Sequence, residues 1–94
     1  MPKEDLYSFA PNTKAAHVTL EQQALKVVEE ALEVLDAVDG GEEPKRIREE
    51  CFDVIQAVEG VLRRYEDEEC YLSRAQVKLK CMRRGDYQKD GKQR

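Results

Sequence analysis

The sequence predicts an all-α fold, in which an antiparallel helical hairpin is followed by a third helix. Apolar residues recur three and four positions apart, no segment alternates with a period of two, and only five glycines and three prolines occur among the 94 residues. A chain of this length buries only about 60–65% of the surface that its unfolded form exposes, so its own core is thin. We therefore expect the hairpins of two or more chains to assemble into an intersubunit four-helix-type bundle, as a homodimer or a tetramer.

Residues 1–18 are predicted to form an extended N-terminal arm, because two prolines and an asparagine interrupt them and they lack helical periodicity. The first helix begins after Thr19, which can form a capping box with Gln22 three residues later. Gly40 and Gly41 follow the last apolar residue and are the expected stop. The apolar stripe of this helix consists of Leu20, Ala24, Val28, Ala31, Leu35 and Val38.

The second helix is expected to start at Pro44, since proline suits the first turn of a helix. A four-residue connection then requires the two helices to pack as an antiparallel hairpin. Gly60 costs about 1 kcal/mol relative to alanine inside a helix, yet the apolar pattern continues through it, and we predict an unbroken helix. Cys51 is predicted to face the core. The stripe consists of Ile47, Cys51, Val54, Ile55, Val58, Leu62 and Tyr65.

A third helix is predicted from about Asp67 to Arg84, with Gly85 as its stop. Its apolar residues are Leu72, Ala75, Leu79 and Met82. Together the three helices define a helical domain at residues 19–87. The remaining residues, 88–94, are predicted to be a mobile basic tail.

Charge is distributed unevenly along the chain. Residues 1–70 carry 18 acidic and 8 basic side chains, which gives a net charge of −10. Residues 71–94 carry 2 acidic and 8 basic ones, which gives a net charge of +6. Either an acidic half holds a cation and a basic end binds a polyanion, or the surface is simply solvated. The overall negative charge argues against a nucleic-acid partner.

Cysteine usage and hydropathy indicate the compartment. The three cysteines lack the short paired spacings of zinc sites and lie within apolar helical patterns. There is no charged-then-apolar leader and no apolar run of membrane-spanning length. We therefore expect a reduced, cytoplasmic protein with no membrane partner.

The two hairpin helices repeat one pattern at an offset of 20 residues, since KVVEEALEVLDAVDG aligns with RIREECFDVIQAVEG. Glu30 and Glu33 lie one turn apart on one face of the first helix, and Glu50 and Asp53 occupy the same phase of the second. Each pair is centred at the same distance from the middle of the loop. Folding the hairpin is therefore expected to bring the four carboxylates level at one edge of the core.

Four converging carboxylates repel one another unless they turn into water or cations bind between them. An acidic helix face is usually only a solvated surface, but two pairs at one height and one phase favour a metal site. Oxygen ligands on rigid helices suit Mg²⁺, with Mn²⁺ as the alternative. Glu29 lies about 100° from Glu30 around the helix, where it could orient water, bind a second ion or face solvent. Lys26 could contact phosphate or offset the acids.

The acidic pattern resembles the signature of the MazG-type all-α nucleoside triphosphate pyrophosphohydrolases, E-E-x-x-E followed by E-x-x-D. In this chain it reads EEALE at residues 29–33 and ECFD at residues 50–53. KCMRRGDY at residues 80–87 resembles a family element with Lys-Asn, Arg-Gly and Tyr, although Cys81 stands where asparagine is usual. The resemblance covers about residues 20–87.

The resemblance implies Mg²⁺-dependent hydrolysis between the α and β phosphates of a (deoxy)nucleoside triphosphate, which yields a monophosphate and pyrophosphate. By motif position it makes metal ligands of Glu30, Glu33, Glu50 and Asp53. Glu29 is the catalytic candidate. The phosphate-binding candidates are Lys26, Lys80 and Arg84, and the residues expected at the substrate's edge are Tyr87, Gln22 and Gln23.

The sequence leaves two alternative functions open. A non-enzymatic helical oligomerisation module would use its acids only for solubility and would be indifferent to Mg²⁺. Phosphoribosyl-ATP pyrophosphatase lies within the same superfamily, but the arm of this chain lacks the Ser-Tyr-Thr-type segment associated with that branch.

Overall fold

The computed structural model describes residues 6–12 and 17–87, and it is all-α as predicted. Three α-helices follow in order: α1 at Leu20–Asp39, α2 at Pro44–Leu62 and α3 at Glu68–Arg83. A 3₁₀ turn at Arg63–Tyr65 connects α2 to α3. The predicted tail at residues 88–94 lies outside the described residues, as do the arm residues 1–5 and 13–16.

The ends of the helices agree with the sequence signals. The Thr19 hydroxyl accepts a hydrogen bond from the Gln22 backbone N–H at 3.1 Å, and the Gln22 side-chain oxygen accepts one from the Thr19 N–H at 2.9 Å. The predicted capping box is thus confirmed. Gly41 and Gly85 adopt the left-handed conformation, with φ of 67° and 71°, directly after α1 and α3. Glycine takes this conformation without a steric penalty, which is why both helices stop there.

The helix–helix packing is concentrated between α1 and α2, which run antiparallel. Near one end of the hairpin, the side-chain amide of Gln23 donates to the Ala57 carbonyl at 3.2 Å. In its middle, Glu30 lies beside Glu50. By contrast, α3 has no buried residue. No helix in the described part of the chain is long and apolar enough to cross a membrane.

The predicted apolar stripes exist, but in the single chain they face solvent. The apolar side chains that are buried among the described residues are only Ala37 and Ala57. Cys51, which the sequence predicts to face the core, is likewise exposed in the single chain. Large exposed apolar residues on the hairpin include Leu25, Val28, Leu32, Leu35, Val38, Ile55, Val58 and Leu62.

The physical reason lies in the faces through which the two helices meet. α1 and α2 pack through the sides that carry Glu30 and Ala37 and their equivalents, Glu50 and Ala57. The apolar stripes lie roughly 100° farther around each helix. The acids, which the sequence placed at the edge of an apolar core, therefore lie between the helices, and the apolar side remains uncovered.

Gly60 allows a close approach between α1 and α2. The helix continues through this residue, as predicted. A Cβ atom at Gly60 would lie 2.5 Å from Nε2 and 2.9 Å from Cδ of Gln23. Gln23 is buried, and its amide bonds the Ala57 carbonyl. Glycine at this position therefore leaves room for a buried, hydrogen-bonded amide.

Gly60→Ala is expected to lower the melting temperature, although alanine ordinarily favours a helix by about 1 kcal/mol over glycine. The added methyl group must displace the Gln23 amide or separate the helices. Circular dichroism melts would measure this. In a Gln23→Ala background the same substitution should raise the melting temperature, because the obstructing amide is gone. Equal destabilisation in both backgrounds would contradict this role for Gly60.

Candidate metal centre

Three carboxylates meet between α1 and α2, midway along the hairpin. Glu30, Glu50 and Asp53 each present an oxygen within 4.8 Å of the oxygens of the other two. Glu30 is 8% exposed and Glu50 only 2%, whereas Asp53 lies at the exposed edge. The structure therefore brings together three of the four acids that the sequence assigned to one site. We refer to these three residues as the acid cluster.

Each buried glutamate has one oxygen with a charged partner and one without. Lys26 Nζ lies 2.9 Å from Oε1 of Glu30, and Arg46 Nη2 lies 2.7 Å from Oε1 of Glu50. The Oε2 atoms of both glutamates are buried and have no hydrogen-bond partner within the described part of the chain. Leaving a buried acceptor unsatisfied costs about 1–3 kcal/mol, and more for a charged group. The two unpaired oxygens could therefore accept a cation or a hydrogen-bond donor.

The acids at the edge of the cluster are destabilised in their charged form. Desolvation, followed by the charges of Glu30 and Glu50, raises the pKa of Asp53. A hydrogen bond with Glu50 and the charge of Glu30 raise the pKa of Glu33. Glu33 therefore stands beside the three converging acids. Mutual repulsion of carboxylates is the shared cause, and a bound cation would relieve it.

The 20-residue repeat explains how the cluster is built. The Lys26–Glu30 ion pair on α1 has its equivalent in the Arg46–Glu50 pair on α2. Because the helices are antiparallel and the two glutamates are level, the repeat relates the helices by an approximate twofold rotation centred between these glutamates. Each helix thus delivers one buried glutamate, held by a cation one turn earlier on the same helix. Lys26 consequently acts as an ion-pair partner of the cluster.

A cavity of about 690 Å³ opens beside the acid cluster. Glu30 and Asp53 line one end of it. Gln22 lies eight residues before Glu30, or about 12 Å farther along the axis of α1. Between and beyond these points the cavity is lined by Lys26, Gln22, Gln23, Gln56, Gly60, Arg63 and Arg64, and by residues 9–12 of the arm. The cavity is thus acidic at one end. Toward the other end amide and apolar groups line it together with the charged residues Glu59, Arg63 and Arg64.

The arm forms a wall of this cavity because side chains of α2 and of the 3₁₀ turn after it bind its main chain. Glu59 accepts hydrogen bonds from the backbone N–H groups of Ser8 at 2.7 Å and Phe9 at 3.0 Å. Arg63 donates to the Phe9 carbonyl at 2.6 Å and covers the ring of Tyr7, with 3.8 Å between Cζ and the ring centroid. Arg64 donates to the carbonyl of Val18. Residues 6–12 are non-helical, as predicted, and they are bound to the hairpin.

Other predicted site residues lie apart from the cavity of the single chain. Glu29 is exposed on α1 and does not line it. The candidates Lys80, Arg84 and Tyr87 lie at the end of α3 or just beyond it, and none of them lines it either. Arg84 pairs instead with Asp86 at 3.0 Å. A single chain therefore assembles the acids, Lys26 and the glutamines, but not the α3 group.

The sequence did not indicate the residues that line the cavity away from the acid cluster. Glu59 and Arg63 looked like ordinary charged residues near the end of α2, and Gln56 carried no motif. Gly60 offered a signal, because a glycine inside a helix often marks a close approach of another group. The aromatic residues of the arm offered a second one, since an arm containing Tyr7 and Phe9 gains from docking on a helix.

Comparisons with known proteins add no assignment. No protein-family model, no curated protein and no solved structure matches the chain.

Proposed function

We propose that this chain is a Mg²⁺-dependent nucleoside triphosphate pyrophosphohydrolase of the MazG type, which cleaves the bond between the α and β phosphates. The observation that carries the proposal is the acid cluster. Glu30 and Glu50 are buried, each keeps one oxygen without a partner, and Asp53 converges with them. A module that used acids only for solubility would have no reason to bury them.

The donor set fits a hard divalent cation. Three carboxylate oxygens on two rigid helices, with one exposed edge, leave ligand positions for water and phosphate oxygens, which is the coordination that Mg²⁺ prefers. Mn²⁺ fits the same donors. The ligands would be Glu30, Glu50 and Asp53, with Glu33 at the edge. When bound, the ion would offset phosphate charge and acidify a water molecule.

The rest of the cavity suits the remainder of a nucleotide. Lys26 lies beside the acids and can turn toward a phosphate at little cost, because its side chain is more than half exposed. Its pKa is raised by the hydrogen bond to Glu30, so it remains a cation. Gln22, Gln23 and the arm line the region beyond, where a sugar and base would lie. A triphosphate would therefore place its phosphates at the acidic end.

The uncovered apolar side of the hairpin supports assembly. The exposed apolar residues on α1 and α2 form stripes that turn away from the acids. Exposed apolar surface of this extent on a small chain marks an interface. We propose that a second copy covers it, which yields an intersubunit four-helix bundle. In such an assembly the candidates Lys80, Arg84 and Tyr87 would reach the cavity of a partner chain.

Hydrolysis assays test the function directly. The eight common ribo- and deoxyribonucleoside triphosphates would be incubated with the full chain and Mg²⁺ and scored for pyrophosphate and monophosphate. Release of pyrophosphate from at least one of them is expected, with none when EDTA replaces Mg²⁺. Release of orthophosphate alone would show cleavage at another bond. No release from any of the eight, together with no thermal response to Mg²⁺, would favour the oligomerisation module.

A further inference from the structure

Glu59 is a buried carboxylate that does not belong to the acid cluster. Glu59 is 6% exposed, and its hydrogen-bond partners lie in the arm at residues 8 and 9. Burying an ionised carboxylate is unfavourable unless hydrogen bonds replace its hydration. The two backbone N–H groups of Ser8 and Phe9 provide that replacement, one to each oxygen. Bonds of this charge-assisted kind are stronger than neutral ones.

Glu59 in α2 and Arg63 at the start of the following 3₁₀ turn both bind the main chain of the arm. Glu59 binds N–H groups, and Arg63, one turn later, binds the Phe9 carbonyl. These bonds position the main chain of the arm whatever its side chains are. Those of residues 9–12 line the cavity beyond the acid cluster. The ring of Phe9 is braced edge-to-face against Phe52, with 6.3 Å between centroids and 73° between planes.

We propose that Glu59 is a positioning residue, which fastens the arm as the cavity wall that selects the nucleoside part of the substrate. This inference rests on the proposed function and adds the element responsible for specificity. The braced ring of Phe9 and the neighbouring Pro11 offer flat apolar surface to a base. The amides of Gln22 and Gln56 can bond its polar edge. A cation on the acid cluster would hold the phosphates of any triphosphate, while the wall distinguishes among the nucleosides.

The size of the expected effect depends on the fraction of molecules in which the arm is docked on the hairpin. A ligand that needs the docked arm binds more weakly in proportion to the fraction of molecules in which the arm is undocked. In Glu59→Gln, the amide oxygen can accept one backbone N–H, but the new NH₂ group opposes the other N–H. The variant keeps the size of the side chain and leaves the acid cluster untouched. Binding of the phosphate part alone should not change.

Calorimetric titration of the full chain with Mg²⁺ would test this, with two probes. One is the set of α,β-methylene nucleoside triphosphates, which cannot be cleaved at the proposed bond, and the other is inorganic tripolyphosphate, which has no nucleoside. Glu59→Gln should weaken the best-bound nucleoside probe by about tenfold or more. Its affinity for tripolyphosphate and its thermal response to Mg²⁺ should equal those of the wild type. Glu42→Gln, at an exposed position of the loop between α1 and α2, is the matched control.

Ser8→Pro removes one donor from the arm instead and leaves both helices unaltered, so it serves if Glu59→Gln does not fold. Hydrogen exchange at the Phe9 amide should be faster in Glu59→Gln than in the wild type. Equal weakening of both probes, or unchanged affinity for the nucleoside probe, would overturn the role of Glu59.

Different results would contradict the proposed hydrolase function and the proposed role of Glu59. Wild-type protein that hydrolyses no triphosphate overturns the proposed function, while the binding contrast between the probes still decides the role of Glu59. Wild-type protein that hydrolyses triphosphates but binds tripolyphosphate as tightly as every nucleoside probe overturns the role of Glu59 alone.

Discussion

Glu50→Gln should abolish both the hydrolysis and the stabilisation by Mg²⁺. Glutamine keeps the shape of the side chain but removes an anionic ligand from the most buried position of the acid cluster. Altering groups that only orient metal ligands costs 10- to 100-fold in activity or affinity, so loss of a ligand should lower turnover by at least about 100-fold. Pyrophosphate release under saturating Mg²⁺ would measure it.

The melting temperature provides a second measurement of the metal site. At a Mg²⁺ concentration about 100 times its dissociation constant, the wild type should gain about 2.7 kcal/mol, or on the order of 10 °C in melting temperature. Glu50→Gln and Glu30→Gln should both lose this gain, because the repeat gives the two glutamates equivalent places. Without metal, both variants should be as stable as the wild type or more so, since a crowded charge has been removed.

Asp36→Asn is the control, because Asp36 is exposed on α1 and does not line the cavity. It should behave as the wild type in both measurements. Retained hydrolysis and a retained response to Mg²⁺ in Glu50→Gln would contradict the metal site. A loss of metal-free stability in that variant would show instead that the buried glutamates are structural.

Local signals in the sequence predicted most of the fold. The residues that begin and end the helices influence only the few residues next to them in the sequence, so their effect does not depend on distant contacts. They are Thr19 with Gln22, Pro44, and the glycines after α1 and α3. The acid cluster was predictable for a related reason. The 20-residue repeat and a short loop determine which residues of α1 and α2 are level.

The faces on which α1 and α2 meet were not predictable in the same way. An apolar stripe shows which side of a helix must leave water, but not whether the covering group belongs to the same chain. Ala37 and Ala57 allow the helices to approach through their acidic sides, and the stripes stay exposed. The role of Glu59 was also hidden, since its partners Ser8 and Phe9 are about 50 residues away and contribute only backbone groups.

Leu35→Glu should dissociate the assembly formed through the apolar side of the hairpin. Leu35 lies within the stripe of α1 and is 53% exposed in the single chain. Full burial of a leucine contributes about 1.5–3 kcal/mol, and assembly can gain about half of this because about half of Leu35 is already covered. A symmetric dimer loses two such contributions, so the dissociation constant should rise by about one to two orders of magnitude. Repulsion between the introduced carboxylates adds to this loss.

Light scattering after gel filtration would measure the mass, with 10.9 kDa expected for the dissociated variant and a multiple of it for the wild type. Lys45→Glu introduces the same side chain at an exposed position of α2 outside the stripe, and it should assemble normally. Because the described part of a single chain buries only two alanines as apolar core, Leu35→Glu should also lose helicity on dilution. A wild-type protein that remains a folded monomer at every concentration would contradict the assembly and leave the apolar side to a different partner.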